Sequence, residues 1–134
     1  MSENPQAHYT VVYVDDEELA RKYFARSAGS EYEVLLAASA DEAISILRSE
    51  GARVAILLTD FRMPGRHGGD LLRQVAQEYA HIVRILVTAY ADKDALQEAG
   101  NSGEVFRILE KPLGVSKVRE VLAAAATASG LRPN

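Results

Sequence analysis

Short apolar runs alternate along this chain with longer segments whose apolar residues recur every three or four positions. The runs are Tyr9 to Val14, Tyr32 to Leu36, Val54 to Thr59, Val83 to Thr88 and Val105 to Leu109. Most are nearly continuous in Val, Ile and Leu, the pattern of parallel strands buried on both faces. Between them, Leu19, Ala20, Tyr23, Phe24 and Ser27 share one helical stripe, as do Ala43, Ile44 and Leu47, and Leu71, Leu72, Val75, Ala76 and Tyr79. Tyr23 and Phe24 are adjacent, so one is expected to pack and the other to face out. Ser39 with Glu42 forms a capping-box pattern for the second helix, and Gly51 is expected to stop it. Asp92 to Ala99 predicts a weakly apolar fourth helix that ends in Gly100, Asn101, Ser102 and Gly103, a candidate mobile element. A fifth helix is predicted from about Val115 to Ala128, with Val118, Val121, Leu122 and Ala125 inward and Gly130 and Pro133 ending it.

Five strands and five helices in strict alternation, with short loops, predict an α/β architecture: an open, doubly wound parallel sheet. Ligands in such sheets bind beyond the carboxyl ends of the strands. Those ends are polar here. The first strand runs into Asp15 and Asp16, the third into Asp60, the fourth ends in Thr88, and the fifth runs into Glu110, Lys111 and Pro112. Three converging carboxylates repel one another, so they either hold protons more tightly or take up a hard divalent cation, for which Mg²⁺ is the natural choice. A carboxylate beside such a cation, a lysine and a hydroxyl has the surroundings of a nucleophile towards phosphorus. Asp60 would attack, Lys111 would neutralise phosphoryl oxygens and Thr88 would donate a hydrogen bond.

Composition narrows the alternatives. With 134 residues, 48% hydrophobic and 25% charged, the chain is expected to form one domain, with its core over about 9–128 and flexible ends at 1–8 and 129–134. A net charge of −4 with no basic run gives no footprint for direct nucleic-acid or anionic-membrane binding. Zero cysteines remove disulfides, thiolate metal sites and cysteine nucleophiles. No apolar run approaches the roughly 18 residues of a membrane span, and the polar start lacks a signal-peptide core, so a cytoplasmic protein is expected. His67, with no partner at metal-ligand spacing, reads as a solvated loop histidine.

The motifs "DFRMPGRHG", "VTAYAD" and "LEKPL", with the Asp15 and Asp16 pair, resemble the response-regulator receiver family over about Tyr9 to Ala128. The resemblance implies a flavodoxin-like strand order 2-1-3-4-5 and a cis peptide between Lys111 and Pro112. It implies that Asp16 and Asp60 ligate Mg²⁺ (or Mn²⁺), with Asp15 acting through water and the Arg62 carbonyl as a further ligand. It also implies that Asp60 takes a phosphoryl group from a sensor histidine kinase or histidine phosphotransfer protein, docked on the first helix near Ala20 and Tyr23. Such a domain is no conventional enzyme; it catalyses its own aspartyl phosphorylation and slow dephosphorylation. Arg62 and Tyr90 fall where the family tunes phosphoryl lifetime, and the resemblance allows a dimer through helix 4, strand 5 and helix 5.

The departure from the family pattern is Ile108, which stands where an aromatic switch residue is usual, although Phe106 is expected on the same strand face. The segment "NSGEVFR" is similar to receivers attached to larger hybrid kinases or multidomain regulators, which would make the chain a fragment. Ile108 and the Arg62 and Tyr90 pair keep open a pseudo-receiver, a binding module without phosphotransfer. A haloacid-dehalogenase-type phosphatase would need an acid two residues after its nucleophilic Asp in an Asp-x-Asp pair, and Glu17 stands at that place after Asp15.

Overall fold

The computed structural model describes residues 8–89, 92–102 and 105–131. The expected flexible ends at 1–7 and 132–134, with Pro133, lie outside the described residues, as do Tyr90 and Gly103. The elements run β1 (Tyr9–Val14), α1 (Glu18–Ala28), β2 (Tyr32–Ala37), α2 (Ala40–Glu50), β3 (Val54–Asp60), α3 (Gly68–Glu78), β4 (Val83–Thr88), α4 (Lys93–Ser102), β5 (Arg107–Glu110) and α5 (Val115–Ala128). All strand pairs are parallel, in the order β2-β1-β3-β4-β5. This is the expected doubly wound sheet.

Strand side chains alternate between two cores. Val12, Val14, Leu57 and Leu86 pack with Ile44 and Leu47 of α2 and Leu71 and Val75 of α3. Val11, Tyr13, Ile56, Leu58, Ile85 and Val87 pack on the other face with Phe24 of α1 and Val118, Val121 and Leu122 of α5. β3 lies between β1 and β4 and is buried along its whole length, which explains its unbroken apolar run.

Several sequence expectations need correction. On α1 the buried residues are Phe24, Ser27 and Ala28, whereas Leu19 is 79% exposed and Tyr23 about half exposed. The inner stripe keeps Phe24 and Ser27 but is turned away from Leu19 and Tyr23 towards Ala28. The Phe24 ring stacks on Tyr13 of β1 at 4.1 Å between centroids, fixing that rotation. β5 starts at Arg107 instead of Val105, although the Phe106 N–H still donates to the Arg84 carbonyl at 2.7 Å.

α4 continues through Gly100 and Asn101 to Ser102. A helix tolerates one glycine at a cost of about 1 kcal/mol, so the composition there did not end it. The Ser39 cap is present, its side chain accepting from the Glu42 N–H at 3.1 Å, while Glu42 reaches back to the Ala38 N–H. Gly51 does follow α2, but with a right-handed φ of −55°. Its constraint is spatial: a Cβ there would fall 2.5 Å from the Tyr79 ring. α5 ends at Ala128, with Ser129 extended and its N–H donating to the Ala125 and Ala126 carbonyls.

Two outcomes follow from this packing. Phe24→Ala should cost about 3–5 kcal/mol in urea unfolding, as for other buried aromatics, while Leu19→Ala and Tyr23→Ala should stay within about 0.5 kcal/mol. The second outcome concerns Arg53, whose guanidinium bonds Glu33 of β2 at 2.6 and 3.1 Å and holds that carboxyl below the usual carboxylate range. The folded value lies below the unfolded one, so the pair stabilises at neutral pH and loses its contribution as acid takes the pH through that lower value. Glu33→Gln should cost about 0.2–1 kcal/mol at pH 7, the range of a solvent-screened pair, and the difference from the parent should close on acidification.

Candidate functional site

The carboxyl ends of β1, β3, β4 and β5 meet at one edge of the sheet. The ladder carries Asp15 inward: its N–H donates to the Ala37 carbonyl at 3.0 Å, and the residue is fully buried. Both of its carboxylate oxygens are engaged. Oδ1 accepts from the Glu17 N–H at 3.0 Å, and Oδ2 accepts from the Tyr13 hydroxyl at 3.1 Å and from Lys111 Nζ at 3.0 Å. Asp60 is 8% exposed, and its Oδ2 accepts from the same Nζ at 3.2 Å. Asp16 is exposed, and its carboxylate joins those of Asp15 and Asp60 in a cluster whose oxygens lie within 4.8 Å of one another.

Electrostatics follow from that crowding. Burial pushes the Asp60 carboxyl up; Lys111 opposes this, and the Asp15 charge adds to it. Partial burial pulls the Lys111 ammonium down, yet the carboxylates of Asp15 and Asp60 outweigh it and leave the lysine above its ordinary value. Tyr13 is likewise pushed up, first by burial and then by the adjacent Asp15. At the end of β4, the Thr88 Oγ1 is buried with no hydrogen-bond partner among the described residues.

Backbone contacts hold these ends in place. The Lys111 N–H donates to the Thr88 carbonyl at 2.8 Å, and the Lys111–Pro112 peptide is cis. The Phe61 N–H donates to Val87 O at 2.9 Å, and Gly68 N–H to Phe61 O at 2.8 Å. Gly68 sits so close beneath Asp60 that a Cβ would fall 2.3 Å from the Asp60 carbonyl oxygen.

A family model described as the response regulator receiver domain matches residues 11–123. The chain belongs to the response-regulator receiver family. This receiver is 32% identical over 92% of its length to the hydrogenase transcriptional regulatory protein HoxA of Cupriavidus necator, and spans 25% of that protein. It is 34% identical over 81% of its length to the sensor kinase CckA of Brucella abortus, spanning 12% of it. Among solved structures, the signal receiver domain of an HD domain-containing protein from Pseudomonas fluorescens Pf-5 superposes with a TM-score of 0.84. The two are 25% identical, with 90% of this chain and 96% of that one covered.

Asp15, Asp16, Asp60 and Lys111 of the receiver thus come together, with Thr88 joined to Lys111 through the backbone. Arg62 differs, because its side chain turns to α4, donating to Asp92 at 3.0 Å through both Nε and Nη2, and to Asp94 at 2.9 Å. Tyr90 lies outside the described residues. His67 is not simply a solvated loop residue: it is the N-cap of α3. Its Nδ1 accepts from the Gly69 and Asp70 N–H groups at 3.0 and 3.3 Å, and its ring rests near Phe61. Ser, Thr, Asp and Asn lead at such caps, which hid the assignment.

Ile108 and Phe106 are each 37% exposed, at a spacing of two. Ala20 and Tyr23 line a groove with Tyr13 and Glu17 that opens beside Lys111. No helix among the described residues is long and apolar enough to cross a membrane.

Sequence reasoning missed Tyr13 and Asp92. A tyrosine two residues before an aspartate on one strand shares its face, and that was the available signal for Tyr13. Asp92 had none, since its partner is thirty residues away.

Gly68→Ala should lower stability more than Gly51→Ala. The first drives a methyl into backbone, at the ~1–3 kcal/mol of overpacking, whereas the second meets the half-buried Tyr79 side chain, which can shift more readily than main chain. Denaturant midpoints of the two variants check the order.

Proposed function

We propose that this receiver is the phosphoacceptor switch of a two-component phosphorelay, with Asp60 as the phosphorylated residue. The observation that carries the reading is the shared ammonium: Lys111 Nζ touches both Asp15 and Asp60, with Asp16 alongside. The residues fit a hard divalent cation. Three carboxylates lie within ligand reach of one point, and both Asp15 oxygens already accept hydrogen bonds, leaving Asp16 and Asp60 freer for direct ligation. The Arg62 backbone carbonyl would join them, and Mg²⁺ (or Mn²⁺) when bound would supply positive charge to oxygens around phosphorus.

The chain's own groups then have separate tasks. An Asp60 oxygen forms the new bond to phosphorus as the bond from phosphorus to the donor's imidazole nitrogen breaks, and the imidazole leaves with the electron pair of that bond. Lys111 remains an ammonium and offsets charge on the phosphoryl oxygens, a role suited to its raised proton affinity. The Thr88 hydroxyl, buried without a partner among the described residues, supplies a donor that a phosphoryl oxygen would satisfy. The phosphodonor would be a phosphohistidine on a sensor kinase or histidine phosphotransfer protein, docked over Ala20 and Tyr23, in a reducing cytoplasm. The pseudo-receiver alternative draws on Ile108, which lies outside the carboxylate cluster, while every position of the phosphoacceptor set is filled.

Incubation with Mg²⁺ and acetyl phosphate should add one phosphoryl group by intact mass, and Asp60→Asn should add none. Lys111→Met should slow the reaction by roughly 10²–10³-fold, the effect of deleting one preorganised charge-stabilising donor. An unchanged wild-type mass, or equal labelling of Asp60→Asn, would overturn the assignment.

A further inference from the structure

α4 is held to the rest of the domain by few apolar contacts. Among the described residues its buried hydrophobic side chains are those of Ala95 and Ala99, both small anchors, while Leu96 is 40% exposed. Polar contacts supply the remainder. Arg73 of α3 pairs with Glu98 in the second turn, and Arg62 takes hold of the first.

The Arg62 contact has the features that separate a strong surface ion pair from a weak one. Two guanidinium nitrogens meet the two oxygens of Asp92, and Nη2 also reaches Asp94. The Asp92 side chain is only 9% exposed, and the guanidinium of Arg62, whose side chain is 60% exposed, lies 5.1 Å from the Phe61 ring centre on one side. Asp92 also caps the helix: its Oδ1 accepts from the Ala95 N–H at 3.2 Å, and its backbone carbonyl accepts from Leu96 at 3.1 Å. One carboxylate therefore both starts α4 and is gripped by a residue two positions after Asp60.

We propose that Arg62 is a positioning residue, a clasp that ties the β3–α3 loop to the first turn of α4, so that rearrangement of the Asp60 loop and displacement of α4 are one equilibrium. The coupling to Asp60 chemistry rests on the phosphoacceptor reading above; the clasp itself does not. A loop that moves its backbone around an incoming phosphoryl group carries the Arg62 guanidinium with it, and α4 either follows or loses its cap partner.

A double-mutant cycle on the full chain tests this by amide hydrogen exchange without ligand. Arg62→Met keeps the stem and deletes the head; Asp92→Asn keeps an oxygen for the Ala95 N–H and deletes the charge. Each should raise exchange at Ala95–Ala99 by about three- to tenfold and leave α2 and α5 unchanged, and the double variant should exchange no faster than Arg62→Met. Unchanged exchange in Arg62→Met, or effects that multiply in the double variant, would overturn the clasp.

NMR shifts with Mg²⁺ and beryllofluoride read the coupling. In Arg62→Met the amides around Asp60 should still shift while those of Ala95–Ala99 lose most of their response. An equal α4 response in the parent and Arg62→Met would sink the coupling. A parent that shows no shift around Asp60 counts instead against the phosphoacceptor reading, and the ligand-free cycle then decides the clasp alone.

Discussion

The Lys111 ammonium lies between the carboxylates of Asp15 and Asp60, and the geometry of the whole carboxyl-terminal edge depends on it. Asp15 has no exposed surface, so its charge needs compensation from inside the protein. Tyr13 contributes a hydroxyl and Glu17 a backbone N–H; among the described residues Lys111 is the cation bonded to the carboxylate itself, while the Arg21 guanidinium reaches the Asp15 backbone carbonyl at 2.8 Å. Leaving a buried carboxylate without its cation typically costs about 3–5 kcal/mol. The lysine sits at the end of β5, two strands away from Asp60 and three from Asp15 in the sheet order, so one side chain bridges the ends of β1, β3 and β5.

The alternation of side chains across the sheet separates support from chemistry. Tyr13 belongs to the face covered by α1 and α5, and its stacking with Phe24 gives its hydroxyl one orientation towards Asp15. The opposite face carries Leu57 and Leu86 against α2 and α3, and from that side Gly68 rises to touch the Asp60 backbone. The candidate nucleophile is thus held twice: its side chain by Lys111, which Asp15 and so Tyr13 also engage, and its main chain by the loop that brings Gly68 beneath it.

Much of the sheet was legible because buried parallel strands announce themselves as apolar runs, and β1 and β4 began and ended where those runs did. The strand-end residues were legible because polar groups immediately after such runs are conspicuous. What escaped was set by tertiary contact. The rotation of α1 depends on where the Tyr13 ring stands, which no periodicity within α1 encodes. Gly51 does stop α2, as its position suggested, but its lack of a side chain also answers to Tyr79, a neighbour in space only. His67 as a cap and Asp92 as the partner of Arg62 depend on how a loop folds and on what lies opposite it.

Thr88 carries a consequence for how such a domain evolves. A buried hydroxyl that finds no acceptor among the described residues would cost the resting protein about 1–3 kcal/mol. A valine would fill nearly the same volume without that penalty, so a search conducted for heat tolerance alone would drift away from threonine here. The end of β4 is thus a place where stability alone would not choose the residue that stands there.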